Sequence, residues 1–195
     1  MNSIEKPEQR RGGRAQLLMI MIVFAGPLAV ATWMYYSEAF LPSGAATNHG
    51  SLLEPILNLG DELPVSSVHA AAPDQWLMLY ATNGTCAAQC EEALYRLRQS
   101  RLMLGNDTNR VARVFLHGDS VPDTVFLEQQ HAGLITMTDK ALSTLLEGKR
   151  PEALQAGGIF LIDPLGNLVM YFPPDLNPKE MVEDLEHLLN LSRIG

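Results

Sequence analysis

The chain opens with a polar segment and then turns apolar without a break. From Ala15 to Tyr36 the sequence AQLLMIMIVFAGPLAVATWMYY holds no charged residue. As a helix rising 1.5 Å per residue it would be roughly 33 Å long, enough to cross a bilayer's hydrocarbon core. Gly26-Pro27 would weaken a soluble helix but is tolerated in a membrane one. Trp33, Tyr35 and Tyr36 gather at the far end, where an aromatic belt belongs. Residues 15–36 are therefore read as a transmembrane helix and residues 1–14 as a tail. Residues 37–60, with Pro42, Gly44, Gly50, Pro55 and little periodicity, are read as a linker. Residues 61–195 carry the alternating and helical periods of one folded domain.

Within that domain the apolar run Trp76–Ala81 predicts a strand, followed by a short polar loop, Thr82 to Thr85. Cys90, Ala93, Leu94, Leu97 and Leu104 then recur at helical spacing, with Gly105 as the stop. RVARVFLH, Arg110–His117, predicts a second core strand. A short helix over Pro122–Gln130, a strand over Leu134–Met137 and a helix from Asp139 through Glu147 come next. Ile159–Asp163 and Leu168–Phe172 flank Pro164-Leu165-Gly166-Asn167, a hairpin signal. Asn177-Pro178-Lys179-Glu180 caps a last amphipathic helix carrying Met181, Val182, Leu185, Leu188 and Leu189. Strand–helix–strand implies a parallel pair with a right-handed crossover. A hairpin and closing helix complete a mixed sheet flanked by helices, so the fold class is α/β and the arrangement thioredoxin-like.

Charge adds direction. The formal net charge is -8, yet residues 1–14 hold Lys6, Arg10, Arg11 and Arg14 against Glu5 and Glu8. Basic residues ahead of a single span place the N-terminus in the cytosol and the domain across the membrane. A cleaved signal peptide is the competing reading, but the apolar run is long for one and Ala45-Ala46 is a distant cleavage site. The acidic remainder argues against nucleic-acid binding, which needs a basic surface.

Cys86 and Cys90 are the only cysteines. Four apart after a strand and loop, they lie within disulfide reach on one helix face. The same pair could present two thiolates to a soft metal ion. At a helix start the free N–H groups and the dipole favour a thiolate, with Glu91 and Glu92 working modestly against it. The alternative is a pair of small buried residues on a core face. His117, at a strand end, could approach the pair, though that position more often holds a surface or hydrogen-bonded histidine; His131 sits in a loop. Asp119 and Asp123 read as turn and cap residues. No serine triad, phosphate loop or zinc cluster occurs.

These residues resemble the Sco family, membrane-anchored thioredoxin-fold proteins that assist assembly of the cytochrome c oxidase copper centre. The resemblance spans roughly Gln75–Asn190 plus the anchor. It rests on Cys-x-x-x-Cys at Cys86 and Cys90 and on FLIDPLG, Phe160–Gly166, with weaker support from HGDSVPDT and LITMTDKALSTLL. The departures are specific. Ala87 and Glu91 stand where the family has proline after each cysteine. Gln155 stands where it has its third copper ligand, a histidine. Gly157-Gly158 occupies the thioredoxin cis-proline place. The resemblance implies a divergent Sco-like protein of a bacterial inner membrane, single-pass, with its main domain periplasmic. Three functions follow from it. The first is thiol–disulfide exchange through Cys86 and Cys90 on an oxidase subunit or assembly factor, which leaves oxidoreductase activity open. The second is Cu(I) carriage by the two thiolates, copper being the one metal implied. The third is a non-catalytic assembly scaffold with a structural disulfide.

Overall fold

The computed structural model describes residues 12–36, 48–64, 66, 68–119, 123–151 and 157–192, which fall into two units, Met1–Ala46 and Thr47–Gly195. In the first, α1 runs over Gly12–Tyr36 with Pro27 inside it. Its segment Ala15–Met34 is long and apolar enough to cross a membrane. Leu17, Ile22, Phe24 and Leu28 are all exposed along it, an apolar surface on every side of the kind a bilayer covers.

The second unit is built on a six-stranded sheet ordered β1-β6-β5-β2-β3-β4. Its strands are β1 (Ser51–Asn58), β2 (Trp76–Thr82), β3 (Val111–His117), β4 (Leu134–Met137), β5 (Gly158–Ile162) and β6 (Asn167–Phe172). The run WLMLYAT is apolar nearly throughout because β2 is central and buried on both faces. β3 lies parallel to β2, and β4 parallel to β3. β5 is antiparallel to β2 and joined to β6 by the expected hairpin. In that turn Asp163 Oδ1 accepts from Leu165 N and Asn167 N, and Gly166 takes the left-handed conformation, φ 84°.

Helices cover both faces. α4 (Ala88–Met103), α5 (Thr124–Gln130) and α7 (Pro178–Leu191) send Leu94, Leu97, Leu127, Met181 and Leu185 against Met78, Phe115, Ile159 and Phe172. On the other face, α2 (Leu59–Glu62), α3 (Val68–Ala71) and α6 (Lys140–Lys149) send Leu59, Val68, Leu142 and Leu146 against Leu79, Val114, Phe160 and Tyr171. A register shift between Leu161 and Ile162 lets Leu168 and Met170 face opposite layers despite their two-residue spacing. The expected caps are formed: Asp123, Asp139 and Asn177 each accept from a first-turn N–H.

The structure corrects the linker reading over 37–60. Its last third is β1, an antiparallel edge strand on β6. Glu54-Pro55 breaks the alternation, and the pairing shifts register between Leu52 and Leu57, so no period-2 signal survives. A proline fits there because an edge strand can forgo one N–H. Residues 37–47 lie outside the described residues. Gly105 is the expected stop: α4 ends at Met103 with Leu104 as its C-cap, Gly105 takes the left-handed conformation at φ 56°, and a 3-10 turn over Gly105–Arg110 leads into β3.

Candidate functional site

β2 ends at Thr82, and α4 begins at Ala88 with Ala87 as its N-cap. The intervening loop is held against the end of β3: Gly118 N donates to Thr82 O at 3.1 Å, and Gly84 N donates to Thr82 Oγ1 at 3.2 Å. A Cβ on Gly118 would come within 2.9 Å of Asn83 O, so the two loops touch only because a glycine stands there. This packing delivers Cys86 and Cys90 to the C-terminal end of the central strand.

The two cysteines form a disulfide with a Cα–Cα separation of 5.0 Å. The expectation that both sit in the first helical turn holds only for Cys90; Cys86 precedes the cap. The two sulfurs are not equivalent. Cys90 is 4 % exposed and part of the core that includes Ala93, Leu94 and Phe115. Cys86 is half-buried and packs against that core from its edge. Ala87 offers no side-chain cap, so the first-turn N–H groups of α4 are left available beside the sulfurs, with Glu91 as the acidic residue of that turn.

Gly157 and Gly158 precede and open β5, where Gly158 pairs with Ala81 of β2. Gly157 has φ 83°. A Cβ on Gly158 would overlap the buried Tyr171 ring, whose hydroxyl donates to Gly157 O at 2.8 Å. Beneath the site Tyr80 stacks on Phe115 with ring centroids 5.8 Å apart, and burial pushes the Tyr80 phenol above the usual tyrosine range. Gln155 lies outside the described residues.

His117 and His131 each border a cavity whose lining contains neither cysteine. His117 Nδ1 is 2.9 Å from Gly118 O. It lines a cavity of about 360 Å³ with Asn83, Asp139 and Lys140 that includes neither cysteine. His131 borders a groove of about 270 Å³ beside the first turn of α4, with Ala88, Glu91, Tyr95, Arg98 and Phe126. It is 3 % exposed, and burial first, then Arg113 and Arg98, hold it below the usual histidine range. Arg113 is 4 % exposed and donates from Nη2 to Ala132 O at 2.7 Å, while its Nε and Nη1 have no partner among the described residues. Sequence reasoning passed over the burial of both Arg113 and His131. Arg113 shares the parity of Val111 and Phe115 in RVARVFLH, a signal that it faces α4 with them. Among the described residues no three His, Cys, Asp or Glu side chains gather where one metal ion could be held.

A mixed sheet with helices on both faces and a Cys-x-x-x-Cys disulfide between its central strand and the following helix define a thioredoxin-like protein. The family described as "Transmembrane-like, thioredoxin-like, C-terminal domain" matches residues 76–192, and "Transmembrane-like, N-terminal domain" matches residues 7–38. The chain belongs to this transmembrane-like, thioredoxin-like family. The curated proteins contain no match to it. Among solved structures it is similar to Arabidopsis thaliana ScoI with copper bound, at TM-score 0.50 and 18 % identity over 64 % of this chain and 89 % of that one. Yeast Sco1 gives 0.49 and 15 %, over 64 % and 89 %. Apo Sco1 from Thermus thermophilus gives 0.48 and 17 %, over 61 % and 82 %. The match to ScoI bears on the fold.

Proposed function

We propose that this chain is a membrane-anchored thiol–disulfide protein whose domain works on the periplasmic side. There it assists assembly of the cytochrome c oxidase copper centre through Cys86 and Cys90. The observation that carries the redox part is the asymmetry of the disulfide: Cys86 lies at the edge of the core and Cys90 inside it, next to uncapped helix N–H groups. A substrate thiolate attacks Cys86 Sγ, the accessible sulfur. The Cys86–Cys90 bond breaks, and Cys90 leaves as a thiolate beside the α4 N-terminus. A mixed disulfide joins substrate and Cys86. A second substrate thiolate then displaces Cys86. The substrate is oxidised to a disulfide and the protein gains two electrons, its thiolates taking up protons from water. In reverse, reduced Cys86 is the nucleophile and Cys90 resolves the mixed disulfide.

The oxidase part is supported by the Sco-like motifs, Cys86-x-x-x-Cys90 and FLIDPLG, and by the anchor ahead of the domain. The periplasmic side is supported by the basic residues preceding α1. Cu(I) carriage by the same two sulfurs is the second reading. Copper on the Sco pattern needs an imidazole beside two thiolates, and the described residues bring no third donor to the pair. No step is therefore routed through copper.

Deleting the gene and measuring oxidase copper content, with and without added copper, tests the reading. Complementation by the wild-type chain should restore copper content, and the double Cys86→Ser, Cys90→Ser chain should not. Full restoration by the double variant would leave only the scaffold reading.

A further inference from the structure

The groove that His131 borders lies between α4 and α5. Ala88, Glu91, Tyr95 and Arg98 line it from α4, at i, i+3, i+7 and i+10, so it runs along one face of that helix. It starts at Ala88 and Glu91, which bracket Cys90 in the first turn. Phe126 and His131 form the opposite wall. At about 270 Å³ the groove is below the roughly 300–1,000 Å³ of a small-molecule site; it has room for a large side chain. Tyr95 is 48 % exposed, and Phe126 is partly buried with its ring 5.1 Å from His131. Arg98 steadies the end away from the sulfurs. Its Nη1 donates to Gln130 O, and its guanidinium carbon lies 5.5 Å from the Tyr95 ring centre.

The charges are sorted along the same line. Arg98 makes the far end basic. Glu92 is paired with Arg96 at 3.1 Å. Glu91 is exposed and has no ion-pair partner among the described residues. An unpaired carboxylate on an acidic domain, at the sulfur end of an aromatic slot, is complementary to a cation. We propose that this groove receives the partner polypeptide beside its reactive cysteine, a basic residue pairing with Glu91 and an aromatic side chain entering between Tyr95 and Phe126. This recognition, which rests on the thiol–disulfide reading of Cys86–Cys90, is short-range. From Ala88 to Tyr95 the helix rises about 10 Å, the reach of about three extended residues. Pairing also serves the chemistry. The Glu91 charge opposes the thiolate that forms on Cys90 when the disulfide opens, and a cation on Glu91 offsets that as the mixed disulfide forms.

The test uses the oxidised full chain in detergent and synthetic cysteine peptides in excess. Opening of Cys86–Cys90 is followed by acid quench, alkylation and mass. The reference peptide carries lysine and phenylalanine within about three residues of its cysteine, on either side; in the others glutamate replaces lysine or serine replaces phenylalanine. Each rate is divided by that peptide's rate with glutathione disulfide, which removes the peptide's own reactivity. Replacing lysine should lower the normalised rate about 2–5-fold at low salt and far less at about 1 M salt. Replacing phenylalanine should lower it about 2–10-fold. Glu91→Gln should erase the lysine preference and keep the phenylalanine one, and Tyr95→Ser, a change at an exposed side chain, should do the reverse. His117→Ala, in the other cavity, should keep both. Equal normalised rates for all peptides, with dithiothreitol still opening the disulfide, would overturn the groove and leave the redox reading standing. Preferences that survive Glu91→Gln and Tyr95→Ser would overturn it as well. A native disulfide that dithiothreitol does not open either would bring down the redox reading, and this recognition with it.

Discussion

At Gly158 the backbone of β5 has no room for a side chain, because Tyr171 lies against it and anchors its hydroxyl on Gly157 O. Gly158→Ala is expected to lower stability by about 1–3 kcal/mol, the usual cost of forcing an extra methyl into a packed site. Urea unfolding checks this, and an unchanged midpoint would mean the ring moves freely. His131 supplies a pH-dependent counterpart. Burial and two guanidinium groups keep it neutral in the fold, with the Phe126 ring 5.1 Å from it. Unfolded, it takes up a proton near about pH 6.5. The unfolded chain therefore holds more protons between that pH and the lower folded value, so stability falls as pH falls through that window. His131→Gln should flatten this loss between pH 7 and pH 5 in thermal melts; parallel curves for the two proteins would contradict it. Cys86 and Cys90 were legible from their spacing alone. The buried Arg113 and His131 were not, because a charged residue in a strand and a histidine in a loop read as solvent-facing until α4 and α5 are placed over them.

Among the elements, the legible ones were those whose local signals agree. β2, β3 and β4, the β5–β6 hairpin, α6 and α7 combine a clear period with a cap or turn that the structure reproduces. β1 failed that test, since a mid-strand Glu54-Pro55 and a register shift erase the alternation. The exact start of α4 also escaped, because Ala87 carries no capping side chain to mark it. β1 is preceded by the segment that Asp184 clamps. Asp184→Ala would strand one buried backbone donor, Gly50 N, and one part-buried donor, His49 N. A cost of about 1–3 kcal/mol for the buried donor left unpaired is expected. Hydrogen exchange should show faster exchange at those two amides, whereas exchange as slow as in the wild type would mean that other groups hold the segment.

For the whole molecule, the apolar α1 and the basic residues before it bear on which side the domain occupies. A reporter active only outside the cytosol, fused after residue 60, should be active; activity of a cytosol-only reporter at the same junction would reverse the topology. The sheet order was partly legible: a crossover pairs β2 with β3 and a hairpin pairs β5 with β6, but the placing of β5 beside β2 and of β1 beside β6 depends on long-range pairing that no local signal carries. The central claim is that Cys86–Cys90 is a working redox pair with Cys86 as its reactive member. Its most direct test is alkylation of the reduced full chain across a pH series, with each thiol followed by mass. Cys86 should react first and at lower pH than Cys90, which stays protected until the domain unfolds. Equal, slow reactivity of both thiols in the native reduced chain would contradict the claim and leave the disulfide a structural one.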